Sequence, residues 1–395
     1  MNPRTLLALG SSALLVVLAA VYVSKRSGPE RSTPADQRVL ASLADSLDGV
    51  SEVRLLRGDG AATTLQRRDN GWLIAQRNYP ADPAKLRSLL INLSGLHTIE
   101  TKTSDPARYA ALGVEDATGA ESRSVRIEVV AGAHTWSLLL GKAAEPKGSY
   151  VRISGARAAL LVEPHLDADS QPSHWILPQV LDVAADRVQH IAIHPAGTSA
   201  YSLARETRAA ADLTLHGVPA GRKPASPATV DGVAGVLARL NATDVKERAA
   251  TPLDHPSQAT FRTFEGLQLD LDGYRDGGAT WVRIRASVDP DTAKRFAASQ
   301  AAAAKGVEAK GSPAAGAEAK SSPAAGAEAK SSGAAGAEAK TPAAPSPDAA
   351  AEAAAINARV QAFDFQIADY QFNQIFRPLT ELLAPLPTNA GKKAP

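Results

Sequence analysis

Cysteine is absent from this chain of 395 residues. Its absence removes disulfides, zinc ribbons, iron–sulfur centres and thiol nucleophiles together, and a lipoprotein-type anchor with them. It fits a reducing and an oxidising compartment equally. A charge excess of one sign is missing as well, because 43 Lys+Arg stand against 41 Asp+Glu for a formal net charge of +2. Loosely spaced lysines such as Lys102, Lys142 and Lys147 make no basic stripe that could follow a phosphate backbone, so no nucleic-acid partner is expected. The chain also lacks a Gly-x-Ser-x-Gly elbow, a phosphate loop and a dinucleotide fingerprint.

What it has is one long hydrophobic run near its start. Leu6 to Val23 is apolar apart from Gly10, Ser11 and Ser12, and Lys25 and Arg26 stand directly behind it. About 18 such residues is the lower limit for a helix crossing a hydrocarbon core roughly 30 Å thick at about 1.5 Å per residue. A cleaved secretory signal shares these ingredients. Against cleavage, Val21, Tyr22 and Val23 continue the run past the small pair Ala19 and Ala20. The reading is a single transmembrane helix over 6–23 behind a short tail over 1–5. Arg4 before the run and Lys25, Arg26 and Arg31 after it do not choose an orientation.

A polar stretch and lead-in helix occupy 24–48, with Val39, Leu40, Leu43 and Leu47 at helical spacing. The pattern then turns to period two. Val53 and Leu55 alternate with Arg54 up to a Gly58-Asp59-Gly60 turn, and Gly71-Trp72 opens a third strand. Asp82 and Pro83 start a helix whose apolar face is Leu86, Leu89, Leu90, Leu93 and Leu96. Val125 to Val129, Trp136 to Leu140, Tyr150 to Ile153 and Leu160 to Val162 read as strands, and Asp167 to Leu181 as a helical connector carrying Trp175.

The order then repeats. Val188, Ile191 and Ile193 resemble the strand at Val53, the helix after Ser226-Pro227 resembles that after Pro83, and Trp281-Val282-Arg283-Ile284 resembles Tyr150-Val151-Arg152-Ile153. The offsets of about 135, 144 and 131 residues point to an internal duplication with loop drift. The predicted class is α+β: an N-terminal transmembrane helix, then two similar antiparallel-sheet-plus-helix units, a first over 49–185 and a second over 186–296. An insertion over 297–350 repeats Glu-Ala-Lys at Glu308, Glu318, Glu328 and Glu338. With Val307 its only large apolar residue it cannot bury a core, and a disordered or transiently helical spacer is expected. A closing strand through Phe363, Phe365 and Ile367 and a helix from Phe372 to Leu383 complete the second unit over 351–388, before a tail over 389–395.

Little along the chain has the spacing that chemistry needs. His190 and His194 lie four apart, but in a strand their α carbons are roughly 13 Å apart, too far for one ion. His165 and His174 flank a polar connector with Asp167 and Asp169, and Ser173-His174 has no strained turn around it. Asp270, Asp272 and Asp276 fail as a calcium loop because Tyr274 stands where a further oxygen ligand is needed. Trp72, Trp136, Trp175 and Trp281 read as core aromatics. No catalytic, cofactor-binding or metal-ligating residue is assigned.

Gly71-Trp72, Tyr79-Pro80-Ala81-Asp82, Leu86 to Leu96, Tyr109-Ala110-Ala111-Leu112-Gly113-Val114, Leu140-Gly141-Lys142 and Tyr150-Val151-Arg152 together resemble the bacterial DUF4340 family. The resemblance covers Val50 to Arg248 and departs from the usual pattern at Leu112-Gly113 and in the alanine-rich insertion. It implies a single N-terminal anchor, a bacterial inner-membrane location with the bulk of the chain in the periplasm, and gene neighbours among ABC-type transport and gliding-motility-type auxiliary components. It carries no catalytic residues. The expectation is a non-enzymatic accessory or interaction subunit of an ABC-type transport complex. A periplasmic binding module for envelope polymer or lipid is the alternative, followed by a hydrolase around His165, Asp169 and His174.

Overall fold

The computed structural model describes residues 37–69, 71–210, 212–299 and 348–385. The chain divides between Leu177 and Pro178 into two compact units. No helix among the described residues is long and apolar enough to cross a membrane, and Leu6 to Val23 lies outside them.

In the first unit the chain enters along a sheet edge: Thr98 N–H donates to Gln37 O at 2.9 Å and Val39 N–H to Leu96 O at 2.8 Å. Ala41–Gly49 then forms a 3-10 helix with Leu43 fully buried, where the apolar spacing predicted an α-helix. No side chain caps it, and Ser46 Oγ turns back to Ser42 O, so local bonds compete with the wider α-helical turn. Four strands follow, β1 (Val50–Arg57), β2 (Ala62–Arg68), β3 (Gly71–Ile74) and β4 (Tyr79–Pro80). Helix α1 (Pro83–Ser94) begins where the sequence places it: Asp82 accepts the Ala84 and Lys85 amides at 2.8 and 3.3 Å, and Pro83 sits in the first turn, where its missing N–H is not needed.

From α1 the chain passes to β5 (His97–Thr103), a short helix α2 (Tyr109–Leu112), and the strands β6 (Val125–Ala131), β7 (His134–Ala144), β8 (Gly148–Ile153) and β9 (Ala159–Glu163). All pair antiparallel in the order β4-β3-β2-β1-β6-β7-β8-β9-β5. The register sets Val53 between Leu65 and Val129, and Leu55 beside Ile127. Period-two alternation therefore sends these buried side chains to one face, whereas Glu52, Arg54 and Glu128 of the same strands stay partly or fully exposed on the other.

The second unit contains β10 (Gln179–Leu181), β11 (Val188–His194), β12 (Tyr201–Ala204), β13 (Thr214–His216), helix α3 (Pro227–Gly235), β14 (Leu240–Glu247), β15 (Ser257–Thr263), β16 (Leu267–Asp276), β17 (Ala279–Val288), helix α4 (Ala349–Val360), β18 (Phe363–Ile367) and helix α5 (Asp369–Ile375). Its sheet order is β10-β14-β18-β17-β16-β15-β11-β12-β13. Read from β13 as far as β14, short of the edge strand β10, this is the sequence β13-β12-β11-β15-β16-β17-β18-β14, which repeats β3-β2-β1-β6-β7-β8-β9-β5, the first order without its edge strand β4, strand for strand. The three sequence echoes fall on matching elements: Val53 in β1 and Val188 in β11, Pro83 in α1 and Pro227 in α3, Tyr150 in β8 and Trp281 in β17.

Two predicted helices are not continuous. The connector over Asp167 to Leu181 has only a 3-10 turn, Pro172–Trp175, before β10. Pro172 and Pro178 bracket it, and Trp175 is buried with its Nε1–H donating to Asp169 O at 2.6 Å. The closing helix breaks after Ile375 and resumes as a 3-10 turn over Leu379–Leu382, because Pro378 offers no amide and drives the residue before it out of helical geometry.

Residues 290–299 are helical, and the described chain resumes at Asp348, whose carboxylate caps α4 by accepting the Ala350 amide at 2.9 Å. The insertion from 300 to 347 lies outside the described residues. Strand β17 is longer than its neighbour, since β18 pairs only with Thr280 to Arg283. Asn357 of α4 takes the place of a strand farther along, accepting the Ala286 amide at 2.9 Å and donating to its carbonyl at 2.8 Å. The same helix is held by Arg187, which reaches both Glu352 oxygens at 2.9 and 2.7 Å.

Across β17 and β18 lies a buried ion cluster. Asp364, 1% exposed, accepts from Arg283 Nε and Nη2 at 2.9 Å each and from the Tyr274 hydroxyl at 2.8 Å, with Arg248 Nε at 3.6 Å. Burial and then the Asp364 carboxylate push the Tyr274 hydroxyl above its ordinary value, while the bond to Asp364 holds Arg283 charged. Replacing Asp364 by Asn removes the carboxylate that both guanidinium groups face and leaves them only the more distant charge of Asp272. Urea denaturation of Asp364→Asn is expected to show a loss of about 3 kcal/mol, and an unchanged midpoint would contradict the cluster's role.

Candidate functional site

The structure brings His165, Asp167 and His174 to one cavity of about 170 Å³ beside α1, together with Lys85, Asn92 and Trp175. Asp169 is turned elsewhere and accepts the Gln171 amide at 2.8 Å. His174 Nε2 lies 3.6 Å from Asp167 Oδ2, and Lys85 Nζ donates to the His174 carbonyl at 2.7 Å. His165 Nδ1 is 2.9 Å from the buried Ser149 Oγ and 3.2 Å from Gly148 O. A carbonyl can only accept, so this arrangement is satisfied by a proton on Nδ1, and Ser149 then has no base to activate it. The Ser149 hydroxyl in turn accepts the Leu166 amide at 3.1 Å. The cluster fastens the chain after β9 against β8 and α1. Among the described residues no group of three or more His, Asp or Glu could hold a metal ion.

The remaining sequence candidates are dispersed. His190 and His194 lie on β11, and Asp270, Asp272 and Asp276 along β16 each meet a different partner: Thr260 Oγ1 at 2.8 Å, Gln258 Nε2 at 3.2 Å and Lys246 Nζ at 2.6 Å. The Lys246 bond holds the Asp276 carboxyl below the usual carboxylate range. Burial, then Arg262 and His216, draw the His190 imidazole below its ordinary value. The unfolded chain therefore binds the extra proton more readily than the folded one. This contribution to stability is complete above the ordinary histidine value of about 6.5 and is lost as pH falls through and below it. His190→Gln is expected to flatten the fall in melting temperature between neutral and mildly acidic pH, and an unchanged slope would refute this.

Of the tryptophans, Trp175 and Trp281 are buried, whereas Trp72 and Trp136 are only half-buried. Trp136 Nε1–H donates to Ser42 Oγ at 3.0 Å. Trp72 lines an open groove of about 330 Å³ between the Ala41–Gly49 turn, the strands at β2 and β3, and α1. Buried Leu86 and half-buried Leu47 and Leu90 make its apolar lining. On the exposed side are Ile91, 55% accessible, with Arg67, Arg87 and Asp48. Arg67 Nη1 donates to the Asp48 carbonyl at 2.6 Å. Sequence reasoning missed this groove. The readable sign was Ile91, a large apolar residue standing off the Leu86, Leu89, Leu93 stripe of its own helix.

Three of the short motifs that carry the family resemblance converge at a second place. Gly113, at φ 72°, ends α2 in the left-handed conformation that glycine adopts freely. Lys142 Nζ donates to Ala111 O at 2.7 Å. Arg152, almost fully buried, donates to Val114 O at 2.8 Å and Ala156 O at 3.1 Å, pairs with Asp116 at 2.6 Å, and lies 4.5 Å over the Tyr109 ring. The Tyr109 hydroxyl donates to Arg157 O at 2.6 Å. Gly141 passes so close beneath α2 that a Cβ there would stand 2.3 Å from Leu112 O and 2.7 Å from Val114 Cγ1. The motif residues thus form a packing knot that fixes the loop after β5 on the sheet.

Backbone cannot move aside as a side-chain tip can, so Gly141→Ala is expected to cost about 1–3 kcal/mol in urea denaturation. Gly95→Ala, whose new Cβ meets nothing nearer than 3.4 Å, serves as the control and is expected to change little.

A family model described as Domain of unknown function (DUF4340) matches residues 72–256. No curated protein and no solved structure matches the chain. The match starts at Trp72, takes in the motif knot and ends just short of β15, so β1, β2 and the strands from β15 onward lie outside it. Residues 72–256 of this chain belong to the DUF4340 family, a domain of unknown function.

Proposed function

We propose that this chain is a membrane-anchored, non-enzymatic interaction subunit of an ABC-type transport complex in a bacterial inner membrane, with its bulk in the periplasm. The observation that carries the reading is the groove over α1. It is an apolar and cationic surface left open on a unit in which Ser149, Asp169 and the His165 ring each bond the chain's own backbone. The run from Leu6 to Val23 supplies the anchor in this reading, and the DUF4340 resemblance supplies the kind of partner, transport or gliding-motility-type auxiliary subunits. The matching strand orders of the two sheets support an origin by internal duplication.

A second reading is a binding module for an envelope lipid or polymer. It is favoured by the groove's volume of about 330 Å³, which lies at the lower end of the range of small-ligand sites.

Alkaline carbonate washing of membranes, followed by mild detergent extraction and affinity purification of the full chain, tests the first reading. The intact chain is expected to stay with the membranes and to bring a transporter permease or ATPase with it. A C-terminal reporter is expected to be active only on the periplasmic side. Release of the intact chain by alkali, a cytoplasmic reporter signal, or purification free of any transporter subunit would overturn the proposal.

A further inference from the structure

We infer that the groove over α1 binds a short acidic and apolar segment of a partner protein, an inference that rests on the interaction-subunit reading. Its chemistry is set by what the groove presents and leaves uncompensated. Leu86, Leu90, Ile91 and the Trp72 indole offer apolar surface, and Ile91 is one of three large apolar residues left exposed among the described residues. Arg67 and Arg87 stand at the open side.

Neither guanidinium meets a carboxylate among the described residues. Arg67 bonds a backbone carbonyl, and Arg87 forms no ion pair there. Helix α1 contains no Asp or Glu from Pro83 to Ser94, so its exposed side presents Lys85, Arg87 and Ile91 with no acidic side chain of its own. Asp48 contributes one carboxylate against two guanidinium groups. The complement of such a surface is apolar side chains flanked by carboxylates, because a guanidinium fork matches a carboxylate in geometry and charge.

Size selects the same occupant. A cavity of about 150 Å³ takes one benzene-sized group, so this groove takes about two such side chains. Two anchors one helical turn apart on a short segment meet that requirement. A lipid acyl chain needs a longer and more enclosed channel than a half-open groove between one helix and two strand ends.

The test uses the full chain in phosphatidylcholine nanodiscs and a phage-displayed library of random peptides of ~12 residues. Selected peptides are expected to pair Asp or Glu with Leu, Ile or Phe within one helical turn, and to change Trp72 emission, with Trp72→Phe as the reference. Arg67→Glu combined with Arg87→Glu is expected to weaken them about tenfold or more. Peptides with lysine in place of the acidic residues are expected to recover binding to that double variant. Both arginines are exposed, and Ile91→Asp gives an independent loss through the apolar half of the site.

No enrichment, or enrichment indifferent to these variants, overturns the inference. A shift in Trp72 emission on exchanging phosphatidylcholine for phosphatidylglycerol without peptide assigns the groove to lipid and overturns it too. So does concentration-dependent self-association abolished by Ile91→Asp, which assigns the groove to a second copy. The broader reading fails separately. A double variant that still purifies with transporter subunits refutes the groove alone, whereas peptide binding by a chain that purifies with no such subunit refutes the transporter assignment alone.

Discussion

An antiparallel sheet that is wet on one face must bury the other, and in each unit the chain passes through a helix from one end of the sheet order to a strand at, or next to, the other end. Helix α1 lies between β4 and β5, and α3 lies between β13 and β14. Most other features follow from that arrangement. The register is fixed because a slip of one residue would turn Val53, Leu55 and their neighbours to solvent. The groove exists because α1, having buried Leu86, Leu89 and Leu93, still presents Leu90 and Ile91 beside Trp72.

Much of this was legible in the residues. Alternation gave the strands, and the Asp82-Pro83 pair gave the start of α1, because both signals are local and each has one physical meaning. The echo between Tyr150-Val151-Arg152-Ile153 and Trp281-Val282-Arg283-Ile284 marked two strands that occupy the same place in the two sheet orders. Arg152 and Arg283 show how far such an echo reaches. Both are shielded from solvent, but Arg152 pairs with the exposed Asp116 and adds two loop carbonyls and the ring of Tyr109, whereas Arg283 is held by the buried carboxylate of Asp364. Position repeats where partner does not.

What escaped sequence reasoning was settled by contacts between distant segments. The lead-in turn is 3-10, and the connector around Trp175 is mostly extended, because proline placement and backbone bonding outweigh apolar spacing over such short lengths. The groove needed Arg67, Trp72 and Arg87 brought together from a strand end, a neighbouring strand and a helix. The ties of the histidine and aspartate cluster are ones no spacing rule contains: His165 Nδ1 faces Gly148 O and Ser149 Oγ, and the Ser149 hydroxyl accepts the Leu166 amide beyond β9.

The way α4 is fastened bears on the repeat array that precedes it. Arg187 grips Glu352, Asn357 clasps Ala286, and Asp348 caps the helix, so the returning chain is seated by bonds of its own. On the other side, Asp289 Oδ1 accepts the Asp291 and Thr292 amides at 3.1 Å each and seats the departing chain in the same manner. Residues on both sides of the array are therefore held by contacts in which no residue of 300–347 takes part. A change in the number of ten-residue copies would leave every one of these contacts in place.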